Sequence, residues 1–221
     1  MSAWLLALAA LQGALDSGTF VVRADTAELA RETFRLSSAR VGEAETRWRL
    51  ASIARYDRDR PAVTLAPTLE LGADSQPMSL DYDAADPREP ARILGQRGRG
   101  RLTVRTLGRG TERAREFPLA GPVVVLDDSV FALYRFVAWY ARPEATLLTG
   151  VFPRAGRRES LTVQDHGVQP TILNHAATSL RHVTVAGGAS ALVHLWFDSA
   201  GRLLKIDIPS RRLTVERMPT A

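Results

Sequence analysis

The sequence predicts a mainly β fold: a curved antiparallel sheet or unclosed β-barrel with one central amphipathic-to-apolar helix at about residues 129–141. Three observations carry this expectation. Most segments are short, alternate apolar with polar residues, and favour β-branched and aromatic side chains. Gly, Pro, Asp and Ser punctuate them, as turns require. A single segment breaks the alternation and is apolar almost all round. The 221 residues suit one domain with a sizeable core, and 45% hydrophobic with 24% charged residues is an ordinary globular balance.

Taken in chain order, the first feature is the apolar run Trp4 to Leu11, WLLALAAL. It is too short to span a membrane, which takes about 20 residues. It matches the apolar region of a secretory leader, although Met1-Ser2-Ala3 carries no Lys or Arg. Residues 1–17 are therefore read as a signal peptide with Gly13 and Ala14 both available as the cleavage position, and 18–221 as a single β-rich domain. A short N-terminal helix packed on the domain is the alternative.

Strands follow at Thr19 to Ala24 and Leu29 to Leu36, turning at Asp25-Thr26. In Glu43 to Tyr56 the residues Trp48, Leu50, Ser52, Ala54 and Tyr56 share one face, and Arg47, Arg49, Ile53 and Arg55 share the other. Ala62 to Leu71 and Pro77 to Tyr82 read as further strands. Ile93 to Leu107 and Thr111 to Phe117 read as one long hairpin around Gly108-Arg109-Gly110.

Ser129 to Ala141, SVFALYRFVAWYA, has helical spacing at Val130, Leu133, Tyr134, Val137 and Tyr140. Phe131, Phe136 and Trp139 make its other sides apolar, so a helix here is buried against or inside the sheet. Asp127 and Asp128 are suitable N-caps, and Arg142-Pro143 marks the end. Strands then resume at Leu147 to Phe152, Leu161 to Gln164 and His182 to Val185. Leu192 to Phe197 turns at Asp198 to Gly201 into Arg202 to Ile208, where Leu204, Ile206 and Ile208 are expected inside and Lys205 and Asp207 outside. Pro209-Ser210 turns again, and Leu213 to Arg217 closes the set.

Three stretches carry a family resemblance. Leu195 to Arg217, LWFDSAGRLLKIDIPSRRLTVER, resembles the C-terminal hairpin of uncharacterised bacterial envelope, or periplasmic, families related in fold to the lipoprotein-localisation carriers. Thr26 to Ser38, TAELARETFRLSS, resembles their opening hairpin. The helix after VVVLDD, Val123 to Asp128, stands where such families place one. The resemblance implies an unclosed antiparallel barrel with a helix over its concave side, used to bind acyl chains or another apolar ligand. It transfers no functional residue, and the absence of cysteine departs from the lipidated members.

Composition narrows the chemistry. Without cysteine there is no disulfide, thiol nucleophile or zinc-thiolate site. The net charge is +5, yet the basic residues are almost all Arg, with Lys205 the single lysine. A GC-rich genome gives that bias without a binding role.

Arg97, Arg99, Arg101 and Arg105 share parity and would form one stripe on a continuous strand. Arg113 and Arg115 share parity on the return strand. The stripe reads either as a solvated face or as a site for an anionic envelope surface. It lacks the interleaved aromatics that nucleic acid would need.

The histidines His166, His175, His182 and His194 match no metal spacing. Asp165-His166 near Ser160 has no nucleophile elbow, and strand neighbours point to opposite faces. Asp127-Asp128 serves as a helix cap rather than an acid–base pair. The glycines of RGRGR, Arg97 to Arg101, allow twist or a bulge.

The sequence thus nominates no catalytic residue, metal ligand or cofactor, and leaves the ligand-binding residues open. The expected function is a non-enzymatic, periplasmic or secreted envelope protein holding a lipid or other apolar small molecule on the concave face. A cavity lined by Phe131, Tyr134, Phe136, Trp139, Trp48 and Trp196 would fit that use. The alternatives are a structural or protein-interaction domain without a small ligand, and a hydrolase assembled from several strands. Nucleic acid and a transmembrane span are not expected.

Overall fold

Sequence-adjacent strands pair almost throughout, and one long-range pairing joins them into a single sheet. The structure is a computed structural model that describes residues 14–41, 45–58, 61–187 and 190–219. The expected leader therefore lies largely outside the described residues. Among these residues no helix is long and apolar enough to cross a membrane.

The first half is a meander of β1 (Ala14–Ala24), β2 (Ala27–Val41), β3 (Glu45–Tyr56), β4 (Val63–Leu71), β5 (Pro77–Ala85), β6 (Ala91–Gly98), β7 (Arg101–Gly108) and β8 (Thr111–Pro118). The second half contains β9 (Val123–Val125), β10 (Thr146–Phe152), β11 (Arg157–Leu173), β12 (Ala176–Gly187), β13 (Ser190–Phe197), β14 (Leu203–Ile208) and β15 (Leu213–Arg217). β1 pairs antiparallel with β15, so the sheet runs from β8 at one edge through that seam to β9 at the other. β9 pairs parallel with β10 and contacts β5, while β8 has no strand on its outer side among the described residues. The architecture is an unclosed, β-barrel-like sheet, as the alternation predicts.

Burial follows the pleat. Leu50, Ser52 and Ala54 of β3 are buried, with Trp48 and Tyr56 packed against the core, while Arg49, Ile53 and Arg55 are exposed. One face of each strand thus removes its apolar groups from water, at roughly 25 cal/mol per Å².

Three expectations change. First, Ile93 to Leu107 is two strands, because the chain reverses at Arg99-Gly100, both at positive φ (49° and 73°). Two-residue hairpin loops often need that geometry, and Gly100 adopts it without a Cβ clash. RGRGR is therefore a turn rather than a twisted strand.

Second, β14 carries a bulge. Trp196 pairs with Lys205 but Phe197 pairs with Leu203, which leaves Leu204 as the extra residue. Leu203 takes the core position expected of Leu204, which is only half-buried, while Ile206 and Ile208 are buried as expected. Lys205 and Asp207 lie on the outer face but are half-covered.

Third, the central segment is a 3-10 helix, Ala132–Trp139, with i to i+3 bonds such as Tyr134 N–H to Phe131 O at 3.0 Å. Neither aspartate caps it. Arg157 takes Asp128 at 2.8 Å, and Asp127 binds Arg154, Tyr82 and the Ser129 N–H. The capping role falls to Glu32 on β2. Its carboxylate accepts the N–H of Phe131 at 2.7 Å and of Ala132 at 3.0 Å, and Ser52 donates its hydroxyl at 2.6 Å.

Candidate functional site

The helix fills the concave side. Phe131, Tyr134 and Phe136 are buried in the core, and Trp139 packs edge-on to Phe136 with ring centroids 4.9 Å apart and beside Trp48 at 5.4 Å. Trp196 lies on the opposite face of the sheet, since its β13 neighbours Leu195 and Phe197 point inward. The six aromatics therefore do not enclose a cavity. The centre of the barrel is a packed core.

A cleft of about 240 Å³ opens elsewhere, between the inner face of β4 to β8 and the turn that joins β10 to β11. Its apolar wall includes Val63, Leu65, Ile93, Val104 and Phe117. These are inward residues of successive strands, which the pleat gathers on one surface. Register sets the polar rim: Thr106 faces Arg113, Val104 faces Arg115 and Leu102 faces Phe117. Arg113 and Arg115 thus share the inner face of the edge strand with Phe117.

The third arginine comes from the turn. Asp127 holds Arg154 through two hydrogen bonds of 2.9 Å each, and Tyr82 donates its hydroxyl to the same carboxylate at 3.1 Å. The Asp127 hydrogen bonds raise the Arg154 pKa against the cost of partial burial. Arg115 donates to the Gly156 carbonyl, which ties the edge strand to the turn. Gly156 has φ 62°, a conformation suited to glycine. Asp86 and Glu89 complete the rim. A cleft with an apolar wall and three guanidinium groups at its mouth can seat an apolar chain and meet an anionic head.

Outside this site, at the start of the helix, lies the most deeply buried carboxylate among the described residues. Burial pushes Glu32 up to about 7, while Ser52, Ala132 and Phe131 donate against that shift and Asp127 adds to it. On β1, Asp16 bonds Arg217 and Arg135, each at 2.6 Å. Burial works to raise the Asp16 pKa, but the Arg217 and Arg135 contacts outweigh it and hold it low.

The arginine stripe does not form one face. Arg99 sits in the turn, and Arg97 faces Leu102 and binds Asp74 at 2.7 Å. Arg101 and Arg105 point outward, where Glu116 and Glu112 each approach to 2.5 Å. Alternation alone could not reveal that turn.

Three histidines do converge, on the outer face of β11 to β13. His182 stacks on Trp196 at 4.2 Å, and His166 and His194 lie beside it at 4.9 and 5.2 Å between ring centroids. No three metal-type side chains gather around one point among the described residues. His166 bonds the Thr184 hydroxyl at 2.8 Å, but Asp165 is taken by Arg181 at 2.8 Å and by the Gly167 N–H. His175 lies in the exposed turn between β11 and β12.

No protein-family model and no curated protein matches the chain. Among solved structures, a β-barrel-like protein of the domain of unknown function DUF1849 from Brucella abortus is similar over 93% of this chain and 96% of its own, at 10% identity with a TM-score of 0.47.

Proposed function

We propose that this chain is a non-enzymatic binding protein whose ligand is an amphipathic anion, with its aliphatic end in the β4–β8 cleft and its head group at Arg113, Arg115 and Arg154. The observation that carries this reading is the single surface on which an apolar wall and three arginines meet. At about 240 Å³ the cleft lies below the usual ligand-pocket range of about 300–1,000 Å³, so it suits part of a chain rather than a whole lipid. The curved sheet with a helix on its concave side supports kinship with bacterial envelope carriers of the lipoprotein-localisation kind. The run Trp4 to Leu11 supports export to the periplasm or beyond. The filled centre around the 3-10 helix favours a second reading, an interaction domain without a small ligand.

Calorimetric titration with decanoate, decyl phosphate and decanol separates the two. Saturable binding of both anions, weaker binding of decanol, and at least a tenfold loss in the Arg113→Gln, Arg115→Gln double variant are expected. Binding that survives Val104→Trp, which fills the wall, would place the ligand elsewhere. Absence of binding by all three amphiphiles would leave the interaction domain.

A further inference from the structure

The outer face of β13 to β15 carries a second groove, of about 470 Å³, in which His194, Trp196, Asp207, Pro209, Leu213 and Thr214 all take part. It lies across the sheet from the core and shares no residue with the arginine-rimmed cleft. His194 and Asp207 face each other across β13 and β14. Cross-strand neighbours of this kind have Cβ atoms about 5 Å apart, so both head groups can reach one small molecule.

The hydrogen bonds determine which atom of His194 is free. The Gln169 carbonyl oxygen only accepts, so His182 donates Nδ1–H to it at 2.9 Å. Burial, with His194 and His166 nearby, pushes His182 down to about 4, which keeps its ring neutral at pH 7. His182 Nε2 then carries a lone pair and accepts Nδ1–H of His194, also at 2.9 Å. The nitrogen left to His194 is Nε2, on a ring held in place from behind. Trp196 lines the same groove, and its indole N–H is buried and has no hydrogen-bond partner.

The charges define the ligand class. The Asp207 carboxylate, fixed by Thr214 at 3.1 Å and Lys205 at 3.0 Å, disfavours an anion. Lys205, which pairs with Asp207, and Arg212, which pairs with Asp25 of the same groove at 3.5 Å, offset the two carboxylates and leave no net charge to hold a cation. A hydroxyl both donates to an imidazole nitrogen or carboxylate and accepts from an indole N–H. The exposed Pro209 offers an apolar surface for a C–H face. We propose that this groove binds a neutral, hydroxyl-rich ligand of the saccharide or polyol class.

The test follows the Trp196 indole N–H by ¹H–¹⁵N NMR on the full chain, with the resonance assigned from Trp196→Phe. Maltose, cellobiose and chitobiose are titrated to millimolar concentrations, the range expected for weak saccharide sites, with inorganic phosphate as a separate arm. A saturable shift of that resonance with at least one sugar is expected, with the Trp48 and Trp139 indoles unmoved. His194→Leu and Asp207→Asn, both half-exposed positions, should each weaken the response tenfold or more. No shift with any sugar, an equal shift in both variants, or a shift with phosphate alone would overturn the proposal.

Discussion

Glu32 accepts the backbone N–H of Phe131 at 2.7 Å, across 99 residues of chain. This contact fixes the start of the central helix to the second strand of the sheet, with no cap from the helix's own flanks. Glu32→Ala would leave two buried N–H groups and the Ser52 hydroxyl without their acceptor. A loss of about 2–4 kcal/mol is expected, read as a lower denaturant midpoint with an unchanged slope. A variant as stable as the parent would show that the helix holds its place by packing alone.

Glu32 and His182 should oppose each other as pH changes. Glu32 is raised from 4.5 to about 7 in the folded chain, so its contribution is fully present below 4.5 and is lost as pH rises through 7. His182 is lowered from 6.5 to about 4, so its contribution is present above 6.5 and is lost as pH falls through 4. The windows overlap, and the parent should show little net slope from this pair. Relative to the parent, Glu32→Gln should lose stability on acidification from 7 to 4.5, and His182→Asn should gain it between 6.5 and 4. Urea melts across that range would check both signs.

The two aspartates before the helix should behave unequally. Asp127 is buried and serves Arg154, Tyr82 and the Ser129 N–H, so Asp127→Ala should cost about 3 kcal/mol. Asp128 is partly exposed and pairs with Arg157, so Asp128→Ala should cost less than about 1 kcal/mol. Equal effects in thermal melts would count against the division of labour described above.

The bulge in β14 gives a register test. Leu203 is buried and Leu204 is not, so Leu203→Ala should cost about 2–5 kcal/mol and Leu204→Ala about 1 kcal/mol or less. The reverse order would restore simple alternation from Leu204 to Ile208.

Much of the fold is legible because the pleat reports itself. Trp48, Leu50, Ser52, Ala54 and Tyr56 declare one face of β3, and the structure buries or half-buries that face. The central helix is visible through its lack of any polar side. What alternation cannot show is a change of register: the Leu204 bulge shifts one residue and exchanges two leucines between faces. Nor can it show which polar face borders an opening. Arg113 and Arg115 have the pattern of a solvated strand, and only the pairing of β7 with β8 places them beside Val104 and Phe117. The helix cap escapes for a related reason, since Glu32 looks like one more charged strand residue until β2 is seen to pass beneath Phe131. His166, His182 and His194 have no motif spacing because the order of β11, β12 and β13 brings them together.

The seam between β1 and β15 has a consequence for assembly. Arg23 and Glu216, 193 residues apart in sequence, meet in the middle of the sheet, whereas the free edge at β8 belongs to a local hairpin. β1 to β8 and β10 to β15 can therefore each zip up hairpin by hairpin, and among the strand pairings of the described residues the seam joins the segments most distant in sequence. Until β15 is in place, β1 and β14 each present an unpaired inner edge to solvent, the kind of surface on which strands of other molecules add. The order of synthesis makes this interval unavoidable, because β15 follows every other described strand. A chain of this design is thus most exposed to aggregation while β15 is still unpaired, and it gains from whatever keeps copies apart in that interval.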